Sequence, residues 1–180
     1  MLKEKAIRIG YDEKGVYTDI KGEATVKQSN ALKQFLFDVI EKFHGIKNLK
    51  FYMNLEDCQY IDSTFIGLLL ILDKKIKESI QTSLIILKPS GYVLEVIHQM
   101  GLENILDLQE EGPFFPRNME ELQIENINKL ELAMMMYLAH SELAGVNEDN
   151  KAKFDAAIHM LKKEIENEGF DISKLDIFSR

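Results

Sequence analysis

The 180-residue chain contains no tryptophan, one cysteine, three prolines and four histidines. Each scarcity removes a class of protein. A single thiol, Cys58, excludes an internal disulfide framework. Its mixed apolar and acidic neighbours suit a small buried side chain better than a reactive thiolate. His44, His98, His140 and His159 are scattered, and no two stand three or four residues apart, the spacing that places metal ligands on one helix face. His140 and His159 could meet across a helical hairpin, but packing is the better reading and no metal site is expected. The longest uncharged apolar run, Phe65 to Leu72, is too short to span a bilayer. The start, Met1 to Lys5, is charged and leads into no long apolar region, so no signal peptide is expected and the protein reads as cytoplasmic. No Walker loop and no Gly-x-Gly-x-x-Gly occurs, so no cofactor is expected. There is no Gly-x-Ser-x-Gly elbow either, and no base for a serine nucleophile is recognisable, so no enzymatic activity is expected. Positive charge is also short. Lys and Arg number 22 against 30 Asp and Glu, a net −8 that disfavours nucleic acid and anionic membrane surfaces.

What is present is a globular share of apolar residues, 46%, patterned as alternating strand and helix. Residues 5–10 and Val16 to Ile20 read as two strands around an Asp12-Glu13-Lys14-Gly15 turn. Leu32, Phe35, Leu36, Val39, Ile40 and Phe43 recur at helical spacing, behind a cap at Ser29 or Asn30. Leu49 to Leu55 is strand-like. A helix over about 63–80 begins almost wholly apolar and turns charged at Asp73-Lys74-Lys75, which predicts a buried first half. Ser83 to Leu87 is a short strand. Pro89-Ser90-Gly91 opens a helix that Gly101 stops, and Ile105 to Leu108 reads as a last strand. Such alternation implies parallel strands joined by right-handed crossovers, and sites lie where such strands end and helices begin.

Gly112 to Asn118 holds two of the three prolines and divides the chain into 1–112 and 113–180. The second part is the more acidic for its length, with 8 Lys and Arg against 13 Asp and Glu. It reads as all helix. One helix runs from about Met119 to Leu143, with an apolar stripe of Ile127, Leu130, Met134, Tyr137 and Leu138. Another runs from about Asn150 to Asn167. In it Phe154, Ile158, Leu161 and Ile165 form a seam suited to a partner helix. The Met134-Met135-Met136 run reads as helix packing rather than an adaptable binding surface. The hairpin could instead drive homodimerisation.

One turn stands out: Tyr60-Ile61-Asp62-Ser63-Thr64-Phe65-Ile66-Gly67. Asp, Ser and Thr cap helix N-termini because their side-chain oxygens accept from backbone N–H groups left without helical partners. That end of a helix also favours anions. A hydroxyl is therefore presented where a phosphate would be electrostatically welcome. A plain structural cap is the simpler reading of the turn alone.

The wider set shifts that balance. Ile20-Lys21-Gly22-Glu23, a helix, a strand, Asp62-Ser63-Thr64-x-x-Gly67, a strand, and Gly101-Leu102-x-x-Ile105-Leu106 together resemble the STAS domain of anti-sigma factor antagonists. The resemblance covers roughly residues 5–108. It implies an α/β fold, a mixed sheet with helices packed on it, carrying the helical hairpin as an extension. It also implies a partner-switching protein that binds an anti-sigma factor which is itself a serine kinase. The kinase phosphorylates the serine and breaks the complex, and a PP2C-type phosphatase restores it. Carried to this chain, the acceptor is Ser63, with Thr64 as the neighbouring alternative, and Asp62, Ser63, Thr64, Phe65 and Gly67 form the partner surface. Two positions depart from the family pattern. Phe65 stands where a small residue is common, and it reads either as a reshaped contact or as core filling. Thr25 stands where a second acid is common. The rival reading is a scaffold or dimerisation module that is never phosphorylated.

Overall fold

The computed structural model describes residues 6–46 and 48–176. Lys5, the start of the first expected strand, lies outside them. Seven strands are described: β1 (Ala6–Tyr11), β2 (Gly15–Ala24), β3 (Lys50–Asn54), β4 (Cys58–Ile61), β5 (Leu84–Leu87), β6 (Asp107–Gln109) and β7 (Glu120–Glu121). They form a mixed sheet in the order β6-β5-β3-β2-β1-β7, with β4 pairing the far end of β2. β2, β3, β5 and β6 run parallel, and the hairpin partner β1 and the late strand β7 close one edge antiparallel. The helices are α1 (Val26–Lys42), α2 (Ser63–Ile80), α3 (Gly91–Gln99), α4 (Lys129–Ala144) and α5 (Glu148–Asn167), followed by a short 3-10 turn at Ile172–Lys174.

Helix α2 is the centre of the molecule. Its first ten residues lack charge, and all from Thr64 to Asp73 are buried. A helix apolar on every side must be covered on every side. The sheet and α1 cover part of it, and α4 covers the rest. Met135, Leu138, Ala139 and Leu143 of α4, with Phe154 of α5, join the same core as the sheet residues Ile20, Phe51 and Met53. Each of the large side chains among them contributes about 1.5–3 kcal/mol by leaving water. The C-terminal hairpin is therefore a third layer sharing the main core.

Three expectations are corrected. The segment after Pro113 is not wholly helical. Met119 and Leu122 are buried while Glu120 and Glu121 between them are exposed, and this short stretch pairs with β1 as β7. The N–H of Leu122 donates to the carbonyl of Ile7 at 2.8 Å. Helix α4 starts only at Lys129, where Asn128 and Glu131 form a reciprocal capping box. The strand expected at Ile105 to Leu108 shifts to Asp107–Gln109, because the N–H groups of Ile105 and Leu106 both donate to Leu102 in a helical turn. The first long helix is capped earlier than Ser29, with Thr25 at its N-cap.

Candidate functional site

The site is built where two parallel neighbours, β2 and β4, end side by side. Gly22 makes this possible: it sits at φ 81°, where the register between the two strands shifts. β2 feeds α1 and β4 feeds α2, so two helix N-termini converge. Asp62 holds both. Its N–H donates to the carbonyl of Ala24 at 3.0 Å. Its Oδ1 accepts from the N–H of Phe65 and its Oδ2 from the N–H of Val26, each at 2.8 Å. One carboxylate therefore satisfies orphan donors of two helices and lies at the positive end of both macrodipoles. Beside it, the side-chain oxygen of Gln28 accepts from the N–H and the hydroxyl of Thr25. Thr25 thus serves as the cap of α1.

Ser63 is the first residue of α2 and is half-buried. Its Oγ lies 3.0 Å from Nε2 of His140, a hydrogen bond in either tautomer of the ring. His140 comes from α4, 77 residues along the chain. It is 6% exposed and its ring stacks on Phe154 of α5 at 4.9 Å. Burial pushes its pKa down, and the nearby Asp62 charge opposes this only in part. The ring is neutral at neutral pH. Its Nδ1 is buried without a partner.

The remaining residues of the turn point inward. Thr64 is 3% exposed, and Phe65 is wholly buried in the main core. Gly67 lies under α4, where an added Cβ would come within 2.4 Å of the carbonyl oxygen of Ala139. Only a residue without a side chain lets the two helix backbones touch there. Of the five residues expected on the partner surface, Asp62 and Ser63 keep part of theirs, while Thr64, Phe65 and Gly67 face the interior in this arrangement. On the outer side of the same turn stand Tyr60 of β4 and Tyr92 of α3. Their rings stack at 5.9 Å, and both are more than 40% exposed. Sequence reasoning quoted Tyr60 but missed Tyr92 and the His140 contact; Tyr92 directly follows the glycine of the Pro-Ser-Gly helix start, the one local cue to it.

Chemically, a serine beside a neutral histidine invites comparison with a nucleophile and its base. Acyl-transfer sites also orient the base through an acceptor on its other ring nitrogen. Here Nδ1 has none, and the nearest carboxylate, Asp62, is committed to two backbone donors. No group of three or more metal-ligating side chains is found among the described residues, and His159 is exposed on α5, away from any such group. No described helix is long and apolar enough to cross a membrane.

Cys58 on β4 is wholly buried, and burial pushes its thiol up to about 11. Only about a thousandth would be thiolate at pH 8, and the thiolate is the reactive form. Native protein treated with iodoacetamide at pH 8 should stay unmodified by intact mass and gain one carbamidomethyl group in denaturant. Rapid labelling of the native chain would contradict this burial.

Sheet, central buried helix and polar strand-to-helix turn define a mixed α/β domain with a part-exposed serine at the N-terminus of its central helix. The family model of the STAS domain matches residues 14–118, more than half of the chain, and the chain belongs to that family. The match ends before β7 and the hairpin. Among solved structures, the anti-sigma factor antagonist SpoIIAA in its unphosphorylated form aligns at 16% identity. The alignment covers 59% of this chain and 90% of that one, with a TM-score of 0.47. A candidate anti-sigma factor antagonist from Thermotoga maritima aligns at 20% identity over 57% of this chain and 84% of its own, with a TM-score of 0.49. No curated protein matches the chain.

Proposed function

We propose that this protein is a non-enzymatic partner-switching regulator. It binds an anti-sigma-type serine kinase through the turn at Asp62 and Ser63 and is released by phosphorylation of Ser63. A PP2C-type phosphatase reverses the change. The observation that carries this reading is the position of Ser63 in a STAS domain: first residue of α2, part-exposed, at the end of β4. In the transfer, the Oγ–phosphorus bond forms and the γ-phosphoryl group leaves its nucleoside triphosphate. The diphosphate departs and the hydroxyl proton goes to a base. The product adds about −1.5 to −2 charge at a helix N-terminus, where it is tolerated. The alternative acceptor Thr64 is supported less, since it is almost fully buried.

The test is incubation with the cognate kinase and ATP, followed by intact mass. Wild type should gain one phosphate (about 80 Da, set by the added phosphoryl group) and Ser63→Ala none. Equal gain in both would remove Ser63 as the site, and a parallel Thr64→Ala sample assigns the neighbour.

A constitutive scaffold is the second reading, and the observation that favours it is His140 seated against the Ser63 hydroxyl. It expects no phosphate on wild type in the same experiment. Dimerisation through the seam of Phe154, Ile158, Leu161 and Ile165 has less support. Phe154, Leu161 and Ile165 are buried within the single chain, and Ile158 packs against the core.

A further inference from the structure

The hairpin is fastened to the rest of the domain at four places. His140 meets Ser63. The backbone of Ala139 lies on Gly67. Glu142 pairs with Lys74 on the solvent side of α2. The turn between α4 and α5 hooks onto the end of α3, where Asn150 and Asn147 both donate to the carbonyl of Met100, at 2.9 and 3.4 Å. Three of these lie within the eleven residues 140–150, and the fourth is at their edge. The C-terminal half of α4 therefore lies over the residue on which the switch would depend.

This arrangement has no room for a second group between Oγ and Nε2. A phosphoryl group directed at His140 would have to displace the ring, which is packed against Phe154 and follows directly on Ala139, whose backbone lies on Gly67. Directed outward by rotation of the Ser63 side chain, it would carry Oγ away from Nε2 and leave His140 buried with both ring nitrogens unpartnered, since Nδ1 already has none. It would also set a dianion beside the Asp62 carboxylate, whose oxygens are already used. Either course weakens the seat of α4.

We propose that a phosphoryl group on Ser63 and the seated hairpin exclude one another, so that modification loosens residues 138–150 from α2 and α3. The seated hairpin is then an internal occupant of the α2 flank, and the modified state uncovers that flank around Gly67 and Ala139. By linkage, a seated hairpin disfavours the modified state by the same free energy with which modification unseats the hairpin. The proposal deepens the switch reading and rests on Ser63 being an acceptor, but its test does not require a kinase.

Phosphoserine is placed at position 63 of the full chain during translation, and amide hydrogen exchange is compared with the unmodified protein. Exchange across 138–150 should rise at least tenfold while the amides of β2, β3 and β5 keep their protection. In His140→Ala, where space opens beside Oγ, phosphoserine should change exchange of that segment much less. Gly67→Ala should loosen the same segment without any added charge. Unchanged or slower exchange at 138–150 with phosphoserine would overturn the proposal, as would equal loss of protection in the sheet. If loosening is found but no kinase modifies Ser63, the coupling stands and the switch reading fails.

Discussion

Ser63→Asp is expected to keep the sheet and α2 folded and to bind its serine-kinase partner tens- to thousands-fold more weakly than Ser63→Ala. The fold survives because position 63 is the first turn of α2, where backbone donors and the helix dipole favour an anion. The complex does not, because a charge left unpaired in an interface costs about 2–5 kcal/mol. At about 1.4 kcal/mol per decade, this gives the stated range. The structure narrows which surface is affected. With the hairpin seated, Phe65 and Gly67 are interior, so the aspartate would appear beside Asp62 and the outward-facing Tyr60 and Tyr92 pair. Titration calorimetry of both variants against the same kinase provides the comparison. Equal affinities would rule out charge at Ser63 as the release signal.

The largest expected loss of stability is at Asp62. Asp62→Ala removes acceptors from the N–H groups of Phe65 and Val26 at once. An N-cap is worth about 0.5–2 kcal/mol. A hydrogen bond to a charged group is worth about 1.5–3 kcal/mol. Asp62 is only half-buried, and water can replace part of what is lost, so a total of about 2–4 kcal/mol is expected. For a chain of this size that lowers the melting temperature by about 4–15 °C. Asp62→Asn keeps one side-chain acceptor and should recover roughly half of the loss. Thermal unfolding followed by circular dichroism reads both. An alanine variant that melts within about 1 °C of wild type would mean that the carboxylate does not hold the two helices together.

These two residues show how far local sequence reaches. Asp62 was readable as a cap of α2, because capping depends on a side chain and a backbone only three residues apart. Its second bond, to Val26, was not readable, because it depends on β2 and β4 ending side by side. Phe65 offered two readings, contour or core. Burial decided for core, since α2 is enclosed on all sides. In the STAS pattern, Gly22, Asp62 and Gly101 were legible because each answers to local backbone geometry or a cap, whereas the reason for Gly67 is tertiary. β7 was missed because a strand of two residues has no periodicity to detect, and its pairing with β1 is made more than a hundred residues back along the chain.

The sequence by itself determined the class of fold, the span of α2 and the hairpin, and its resemblance to the STAS domain singled out Ser63 as the residue to watch. The first three follow from short-range rules: apolar spacing, capping residues, and charge that begins where burial ends. The tertiary structure alone decided that the hairpin lies on α2, that Gly67 is a contact between two helix backbones, and that His140 meets the Ser63 hydroxyl. No spacing in the chain encodes a contact across 77 residues. It arises because an all-apolar helix needs a second cover, and α4 supplies that cover over the same end of α2 that carries Ser63.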